Sequence, residues 1–177
     1  MKRHPPLPCI WLISDARNDG CLDGALRKLP RGSGFVFRHH HLPAAQRRAR
    51  WHALRKLAKA RGHLAVLAGT AAQARAWHAD GAYGSPAKLA PGPRALRLAT
   101  AHSLRELLAV RRTRATALLL SPVHPTRSHL GARSLGPVRF RALARHAGLP
   151  VIALGGMTAA RARALRIARW AAIDGLA

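Results

Sequence analysis

The clearest structural signal in this chain comes from residues 118–156, LLLSPVHPTRSHLGARSLGPVRFRALARHAGLPVIALGG. An apolar run passes into a loop rich in Ser, Thr, His and Arg, and a helical pattern follows over residues 138–147. A second apolar run, Val151–Leu154, stops at Gly155 and Gly156. The order predicts a strand, a loop, a helix and a second strand. Polar groups then collect at the carboxyl ends of both strands, where α/β proteins bind their ligands.

The pair of glycines at the end of this stretch predicts an anion site. Glycine lets the backbone approach a ligand closely, and a helix that starts after Thr158 would direct backbone N–H groups toward negative charge. We therefore expect Gly155 and Gly156 to bind a phosphate group.

Strand-like and helix-like runs alternate along the rest of the chain. The predicted strands are Cys9–Ser14, Gly34–Phe37, His63–Leu67, Gly81–Tyr83, Leu96–Ala101, Ala115–Leu120, Val151–Leu154 and Trp170–Ile173. The predicted helices include 22–29, 43–61, 70–78, 138–147 and 159–169, with a further capped helix after Ser103. This alternation predicts a shortened (β/α)8 TIM barrel, one domain over residues 1–177, which lacks the last helix and has a rudimentary fourth helix.

The charge balance favours anionic ligands. The chain has 31 Lys and Arg residues against six Asp and Glu residues, a formal net charge of +25. The basic residues are spread over every predicted helix, and only 5% of the residues are aromatic. Because nucleic-acid modules add aromatic stacking surfaces, we expect no specific nucleic-acid partner.

Other features of the composition indicate a cytoplasmic protein. No apolar run approaches the roughly 20 residues of a membrane span, so no membrane partner is expected. The amino-terminal apolar stretch is interrupted by Asp15 and Arg17, so a signal peptide is not predicted. Two cysteines do not make a disulfide framework, and the default is a reducing compartment.

An ordered set of motifs lies at the predicted strand ends. The segments are SPVHPTRSH at 121–129, LG at 135–136, LPVIALGGM at 149–157, ATAHS at 99–103, ADG at 79–81 and FVFRHH at 35–40. In the same order of strands they resemble GP-x-F-P-T-x-T-K, LG, LPV-x-AIGGI, VSAHS, GADGVHL and VQLREK of the thiamine-phosphate synthase and thiazole tautomerase superfamily. The resemblance covers nearly the whole chain.

The resemblance implies a transferase of thiamine biosynthesis. Such an enzyme joins an aminopyrimidine pyrophosphate to a thiazole phosphate and releases pyrophosphate, so the implied partner is a small phosphorylated heterocycle. It further implies that Arg38 faces the pyrophosphate, that Thr100, Thr126 and Ser128 donate hydroxyl groups, and that Gly155 and Gly156 hold the thiazole phosphate. These roles suit the chemistry, because a leaving pyrophosphate needs donors aimed at its developing charge.

The chain departs from the family pattern mainly at the metal site. The Asn-Asp pair after strand three aligns with Ala68-Gly69, and the second metal-binding Asp has no counterpart in residues 82–85. Magnesium holds phosphates through carboxylates and substrate oxygens. We therefore predict no resident metal or other cofactor, with Mg²⁺ recruited, if at all, only together with pyrophosphate.

Other departures define the remaining candidate site residues. The family's Gln and Lys on strand two become Val36 and His40, its Lys after the Pro-Thr pair becomes His129, and its Ser after strand eight becomes Asp174. Arg38 and His40 are therefore the candidate catalytic groups in place of the metal. His129 and Asp174 complete the predicted substrate-binding set.

Two alternatives stay open for the function. The tautomerase branch places a catalytic His where this chain has Pro122, but His124 lies two residues along and would face the same side of an extended segment. His124 is thus a candidate proton shuttle, and its use would make the protein an isomerase. The other alternative is a catalytically impaired barrel that binds a phosphorylated ligand. The oligomeric state, including a homo-oligomer, is not decided by the sequence.

Asp15 and Asp174 end the first and last predicted strands, which are neighbours in a closed barrel. They either form a functional pair, or Asp15 caps the following turn and an arginine neutralises Asp174. His102, at the end of strand five, is a further candidate for the site.

Overall fold

A closed barrel of parallel strands forms the centre of the computed structural model, which describes residues 6–89, 95–126 and 134–176. In these residues each of eight strands pairs with the next along the chain, and the last pairs with the first. The predicted (β/α)8 TIM barrel is therefore confirmed. The strands are β1 (Ile10–Ile13), β2 (Gly34–Phe37), β3 (Leu64–Ala68), β4 (Gly81–Gly84), β5 (Leu96–Ala101), β6 (Ala117–Leu120), β7 (Val151–Ala153) and β8 (Trp170–Ala172).

Helices connect successive strands on the outside of the barrel. Those in the described ranges are α1 (Leu22–Lys28), α2 (Ala44–Ala60), α3 (Ala71–Ala76), α4 (Pro86–Leu89), α5 (Leu104–Arg111), α6 (Gly136–Arg145) and α7 (Ala159–Leu165). A 3₁₀ helix, Ala16–Cys21, precedes α1, and another, Asp174–Leu176, follows β8. Helix α4 is a single turn, as the sequence predicts for the fourth helix.

Side chains along each strand alternate between two apolar layers, as the period of two in a β-strand requires. Trp11 and Ile13 of β1 are fully buried inside the barrel, where they join side chains of the other strands. Leu12, between them, faces outward and packs beneath the helices. Trp51 and Leu54 of α2 meet this outer layer because their spacing places both on one face of the helix.

Arg97 is a charged exception in the outer layer. Its side chain is fully buried between the barrel and the helices, and its Nη1 donates a hydrogen bond to the carbonyl oxygen of Leu89 at 2.8 Å. A buried guanidinium needs such partners, because desolvation without hydrogen bonds is costly. The contact holds the end of α4 against β5.

Several predicted boundaries are corrected by one or two residues, which is the ordinary variation at fraying ends. Helix α6 begins at Gly136 rather than at 138, because Pro137 fits the first turn of a helix, where its missing N–H has no partner to lose. Helix α7 ends four residues before the predicted Arg169. Arg166 adopts a left-handed conformation, with φ of 50°, that stops the helix.

A separate finding concerns membranes. In the three described ranges, no helix combines the length and the apolar character that crossing a bilayer would require.

Candidate functional site

A cavity of about 830 Å³ opens at the carboxyl ends of the strands. Ligand sites of TIM barrels lie at this end, because the loops that follow the strands converge there. The cavity brings together most of the residues that the sequence singles out, although they are far apart along the chain. The predicted site residues that line it are Arg38, His40, Thr100, Thr126, Gly155, Gly156 and Asp174.

Arg38 follows β2, and hydrogen bonds made by its backbone hold it in place. Its N–H donates to Ser14 Oγ at 2.8 Å, and its carbonyl oxygen accepts from Arg47 Nε at 2.9 Å. Arg47 also donates to the carbonyl oxygen of Ala68 at 2.9 Å, so it ties the ends of β2 and β3 together. The Arg38 side chain is one-third exposed, and Nη1 lies 3.8 Å from Asp15 Oδ2. The guanidinium is therefore positioned at the cavity without a short ion pair to Asp15.

His39 is a positioning residue, although it is not among the site residues predicted from the sequence. Its ring is buried and stacks on Phe37 with ring centres 4.6 Å apart. Nδ1 lies 2.8 Å from Ser14 Oγ, and Nε2 lies 3.0 Å from Asp19 Oδ1. Burial lowers the pKa of His39 despite the nearby Asp19 carboxylate. A neutral ring with its proton on Nε2 would accept from Ser14, whose oxygen in turn accepts the Arg38 N–H.

Asp15 and Asp174 are joined through an arginine rather than acting as an isolated pair. Asp15 caps the 3₁₀ helix by accepting from the backbone N–H of Arg17. Arg17 Nε lies 3.0 Å from Asp15 Oδ1, and Arg17 Nη1 lies 3.4 Å from Asp174 Oδ2. The local alternative is therefore the observed one: Asp15 is a cap, and an arginine offsets the charge of Asp174.

The charge of Asp15 should stabilise the fold in a pH-dependent way. Burial raises the pKa of Asp15, but hydrogen bonds from Arg17 and the charges of Arg17 and Arg38 outweigh burial, and the net pKa is lowered. A carboxylate with a lowered folded-state pKa contributes stability above its unfolded-state pKa, near pH 4. That contribution is lost as the pH falls through the folded-state value.

Asp15→Asn should therefore test the charge alone. Asn caps a helix about as well as Asp, so the free energy of unfolding at pH 7 should fall by less than about 1 kcal/mol. Asp15→Ala should cost about 1 kcal/mol more, because the capping oxygen is lost as well. Urea unfolding between pH 7 and 3 measures the difference between wild type and Asp15→Asn, which should shrink below about pH 4. A difference that stays constant over this range would contradict the assignment.

The glycine pair after β7 has a backbone that only glycine adopts without strain. Gly155 has φ of +97° and Gly156 has φ of +59°. A Cβ on Gly155 would lie 2.6 Å from the Pro122 Cα, and one on Gly156 would lie 2.6 Å from the Pro125 carbonyl oxygen. The loop after β6 therefore packs directly against the glycines, and together they form one wall of the cavity.

His124 does not line the cavity, which corrects the expectation that it would face the site. That expectation assumed an extended segment, but β6 ends at Leu120, and residues 121–126 form a loop in which the period of two no longer holds. Its Nε2 is buried and has no hydrogen-bond partner among the described residues. Burial, followed by the charge of Arg161, lowers its pKa.

Two predicted site residues, Ser128 and His129, lie outside the described residues. Sequence reasoning missed three others that line the cavity: Tyr83, Lys88 and Ser121. Burial raises the pKa of Tyr83 against the opposing charge of Arg38, so its hydroxyl remains a neutral donor. Tyr83 and Ser121 lie at or just after the end of a predicted strand, and Ser121 opens the motif at 121–129, although no role was assigned to it. Lys88 lies on the short fourth helix, without a motif around it.

His102, a candidate site residue from the sequence, does line the cavity. Its ring forms hydrogen bonds with Ser121. His102 Nδ1 lies 2.9 Å from the Ser121 carbonyl oxygen and 3.1 Å from Ser121 Oγ. A proton on Nδ1 satisfies the carbonyl oxygen and leaves Nε2 as an acceptor. His102 Nε2 can therefore accept a hydrogen bond from a ligand in the cavity.

The wall formed after β3 and β4 does not fit a resident Mg²⁺. Ala68, Gly69, Gly84 and Ser85 line it, and none of them has a carboxylate. In the part of the chain that the structure describes, no group of three or more His, Cys, Asp and Glu residues could hold a metal ion. The carboxylate that lines the cavity, Asp174, pairs with Arg17. Mg²⁺ prefers carboxylate and phosphate oxygens, so the donor set is a poor one.

His40 lies on the same side of the cavity with three basic residues around it. Burial is the main cause of its lowered pKa, and the charges of Arg47, Arg38 and Lys88 lower the pKa further. The ring is therefore neutral at pH 7 and can donate or accept a hydrogen bond.

Comparisons with known proteins agree with this architecture. A family model described as thiamine monophosphate synthase matches residues 12–176. A search of the curated proteins returned no match. A solved thiamine phosphate pyrophosphorylase from Pyrococcus furiosus is 23% identical, with a TM-score of 0.77 and coverage of 93% of this chain and 85% of that one.

Two further structures show how widely the fold is shared. A thiamine phosphate pyrophosphorylase from Bacteroides thetaiotaomicron is 14% identical, with a TM-score of 0.58 over 94% of this chain and 82% of that one. An aldolase/citrate lyase family protein from Burkholderia cenocepacia is also 14% identical, with a TM-score of 0.64 over 95% and 89%. At these identities the likeness shows the fold alone.

Proposed function

The chain belongs to the thiamine monophosphate synthase family, and from that premise we propose that it joins an aminopyrimidine pyrophosphate to a thiazole phosphate. It is then a transferase that releases pyrophosphate. The carbon–oxygen bond between the pyrimidine methylene and pyrophosphate breaks, and its electron pair leaves with the pyrophosphate oxygen. The thiazole nitrogen captures the resulting cation, which forms a carbon–nitrogen bond.

The observation that supports this proposal is that two walls of the cavity carry groups suited to anions. Arg38 and His40 lie on one wall, and Gly155 and Gly156 lie on the wall formed after β7. A reaction with two phosphorylated substrates needs two such places, one for the leaving pyrophosphate and one for the thiazole phosphate. Thr100 and Thr126 also line the cavity and would donate hydroxyl hydrogen bonds to the pyrophosphate.

In this proposal Arg38 stabilises the leaving group. Its planar guanidinium can make two parallel hydrogen bonds to phosphate oxygens, and these strengthen as negative charge develops on the departing oxygen. The backbone contacts of Arg38 with Ser14 and Arg47 fix the backbone from which the side chain reaches the cavity before substrate binds. Such preorganisation lowers the barrier without reorganisation during the reaction.

The proposed setting is the cytoplasm and the proposed partners are small molecules. Cys9 and Cys21 are exposed and unpaired, which suits a reducing compartment. A specific nucleic-acid partner is not proposed, because the basic residues are spread over the helices.

A steady-state assay with both substrates tests the function. The wild type should form thiamine phosphate and release pyrophosphate in equal amounts, and it should restore growth to a strain that lacks thiamine-phosphate synthase. Arg38→Ala should fail to restore growth. If the wild type shows no turnover but binds thiazole phosphate, the transferase proposal is rejected and the protein is a phosphate-ligand-binding barrel. That second function is favoured by the absence of carboxylates at residues 68, 69, 84 and 85.

A further inference from the structure

The cavity wall built from the ends of β3 and β4 carries positive charge where a metal-dependent site would need carboxylates. Ala68 and Gly69 follow each other at the end of β3, and Gly84 and Ser85 at the end of β4. The next charged side chain on this wall is Lys88, on the single-turn helix α4. A wall without carboxylates and with a lysine can bind a polyanion directly.

Lys88 is held at the cavity by the fold. Its side chain runs over Gly84: Cβ and Cδ lie 3.6 and 3.9 Å from the point where a Cβ of residue 84 would be. These are ordinary van der Waals distances, so the lysine stem packs over position 84. The buried Arg97, which donates to the carbonyl oxygen of Leu89, fixes the end of α4. The helix thus presents Lys88 from an anchored position.

Lys88 also lacks a carboxylate partner in the ranges that the structure describes. Lys59 offers a contrast, because its Nζ lies 2.9 Å from Asp80 Oδ1. The positive charges of Lys88 and Arg38 both lower the pKa of His40. Arg38, His40 and Lys88 all line the cavity.

We propose that Lys88, with Arg38, binds the pyrophosphate group in place of Mg²⁺, so that pyrophosphate binding needs no divalent cation. The inference rests on the proposed function, which makes pyrophosphate a product. The two side chains would then bind pyrophosphate in different ways. Arg38 makes directional paired hydrogen bonds, and Lys88 supplies a compact charge with three donors. The like charges of Arg38 and Lys88 are tolerated because a pyrophosphate between them attracts both.

Calorimetric titration with inorganic pyrophosphate in the presence of EDTA tests this directly. The wild type should bind, and an excess of Mg²⁺ in place of EDTA should change the dissociation constant by less than about threefold. Lys88→Met should weaken binding in EDTA by about tenfold, because it removes the charge but keeps the length of the side chain. Lys88→Arg should restore most of the affinity. Lys56→Met is the matched control, since Lys56 is exposed on α2 outside the cavity lining.

Two results would overturn the inference. One is pyrophosphate binding by the wild type that requires Mg²⁺, and the other is a Lys88→Met variant that binds as the wild type does. Both leave the proposed function standing if the wild type still forms thiamine phosphate. Conversely, Lys88-dependent binding in EDTA by a protein without turnover supports the inference and rejects the proposed function. Melting temperatures of all variants should match, because Lys88 is exposed.

Discussion

Arg38→Lys should lower turnover by about ten- to a hundredfold, which corresponds to about 1.4–2.8 kcal/mol of lost transition-state stabilisation. Lysine keeps the charge but cannot reproduce paired, coplanar hydrogen bonds to a phosphate group. Arg38→Ala should lose at least as much again, because the charge that faces the leaving pyrophosphate is then absent. Steady-state kinetics with both substrates at saturation, compared with wild type, measures the loss.

The fold should tolerate both substitutions. The contacts that hold residue 38 to Ser14 and Arg47 are made by its backbone, and the side chain is partly exposed. Arg48→Lys is the matched control, because Arg48 is exposed on α2 and does not line the cavity. Wild-type turnover in Arg38→Lys would remove the role given to Arg38 and leave the transferase function in place.

Gly156→Asp should weaken the binding of thiazole phosphate by about a hundredfold, or about 2.8 kcal/mol. Two effects combine. The carboxylate would place a negative charge next to the bound phosphate, and the new Cβ would lie 2.6 Å from the Pro125 carbonyl oxygen, so the loop must move. Calorimetric titration of the purified variant with the thiazole phosphate measures the affinity.

Gly156→Ala separates these effects, because it adds the Cβ without the charge. Residue 156 has a left-handed backbone, with φ of +59°, so alanine at this position should lower the free energy of unfolding by about 1–2 kcal/mol, which urea unfolding measures. Its phosphate affinity should fall by about tenfold, clearly less than that of the aspartate variant. Unchanged affinity in Gly156→Asp would show that the phosphate binds elsewhere in the cavity.

The sequence predicted one wall of the cavity more completely than the other. It predicted the wall with Gly155 and Gly156 in detail, but not the contacts that hold Arg38 on its own wall. The glycines end an apolar run within a motif, and the requirement for glycine is local, since φ and the close approach of the backbone are properties of one short loop. The neighbours of Arg38 come from the ends of other strands. Ser14, which accepts its N–H, is 24 residues away, and only the pairing of β1 with β2 brings the two together.

His124 and Lys88 are the two residues for which the sequence pattern misled most. His124 was predicted to line the cavity and does not, whereas Lys88 was not predicted and does. The sequence favoured His124 by counting two residues along an assumed extended segment, but a loop has no fixed period, and the side chain lies outside the cavity lining. Lys88 had no motif around it, and its place in the cavity lining depends on the packing of α4 over Gly84 and on the hydrogen bond from Arg97 to the end of α4. Both outcomes depend on contacts between segments, which a pattern within one segment does not contain.

The sequence by itself determined the barrel and the end of the barrel at which the candidate site lies. Apolar runs that alternate with amphipathic helices can bury their surfaces in few ways, and polar residues that follow the strands must then share one edge. Only the tertiary structure decided which of those residues meet. Closure of β8 onto β1 brings Asp174 within reach of Arg17, and the packing of β2 against β3 lets Arg47 tie Arg38 to Ala68. These contacts depend on three-dimensional register, because each joins groups whose separation in space is set by the closed sheet and not by their distance along the chain.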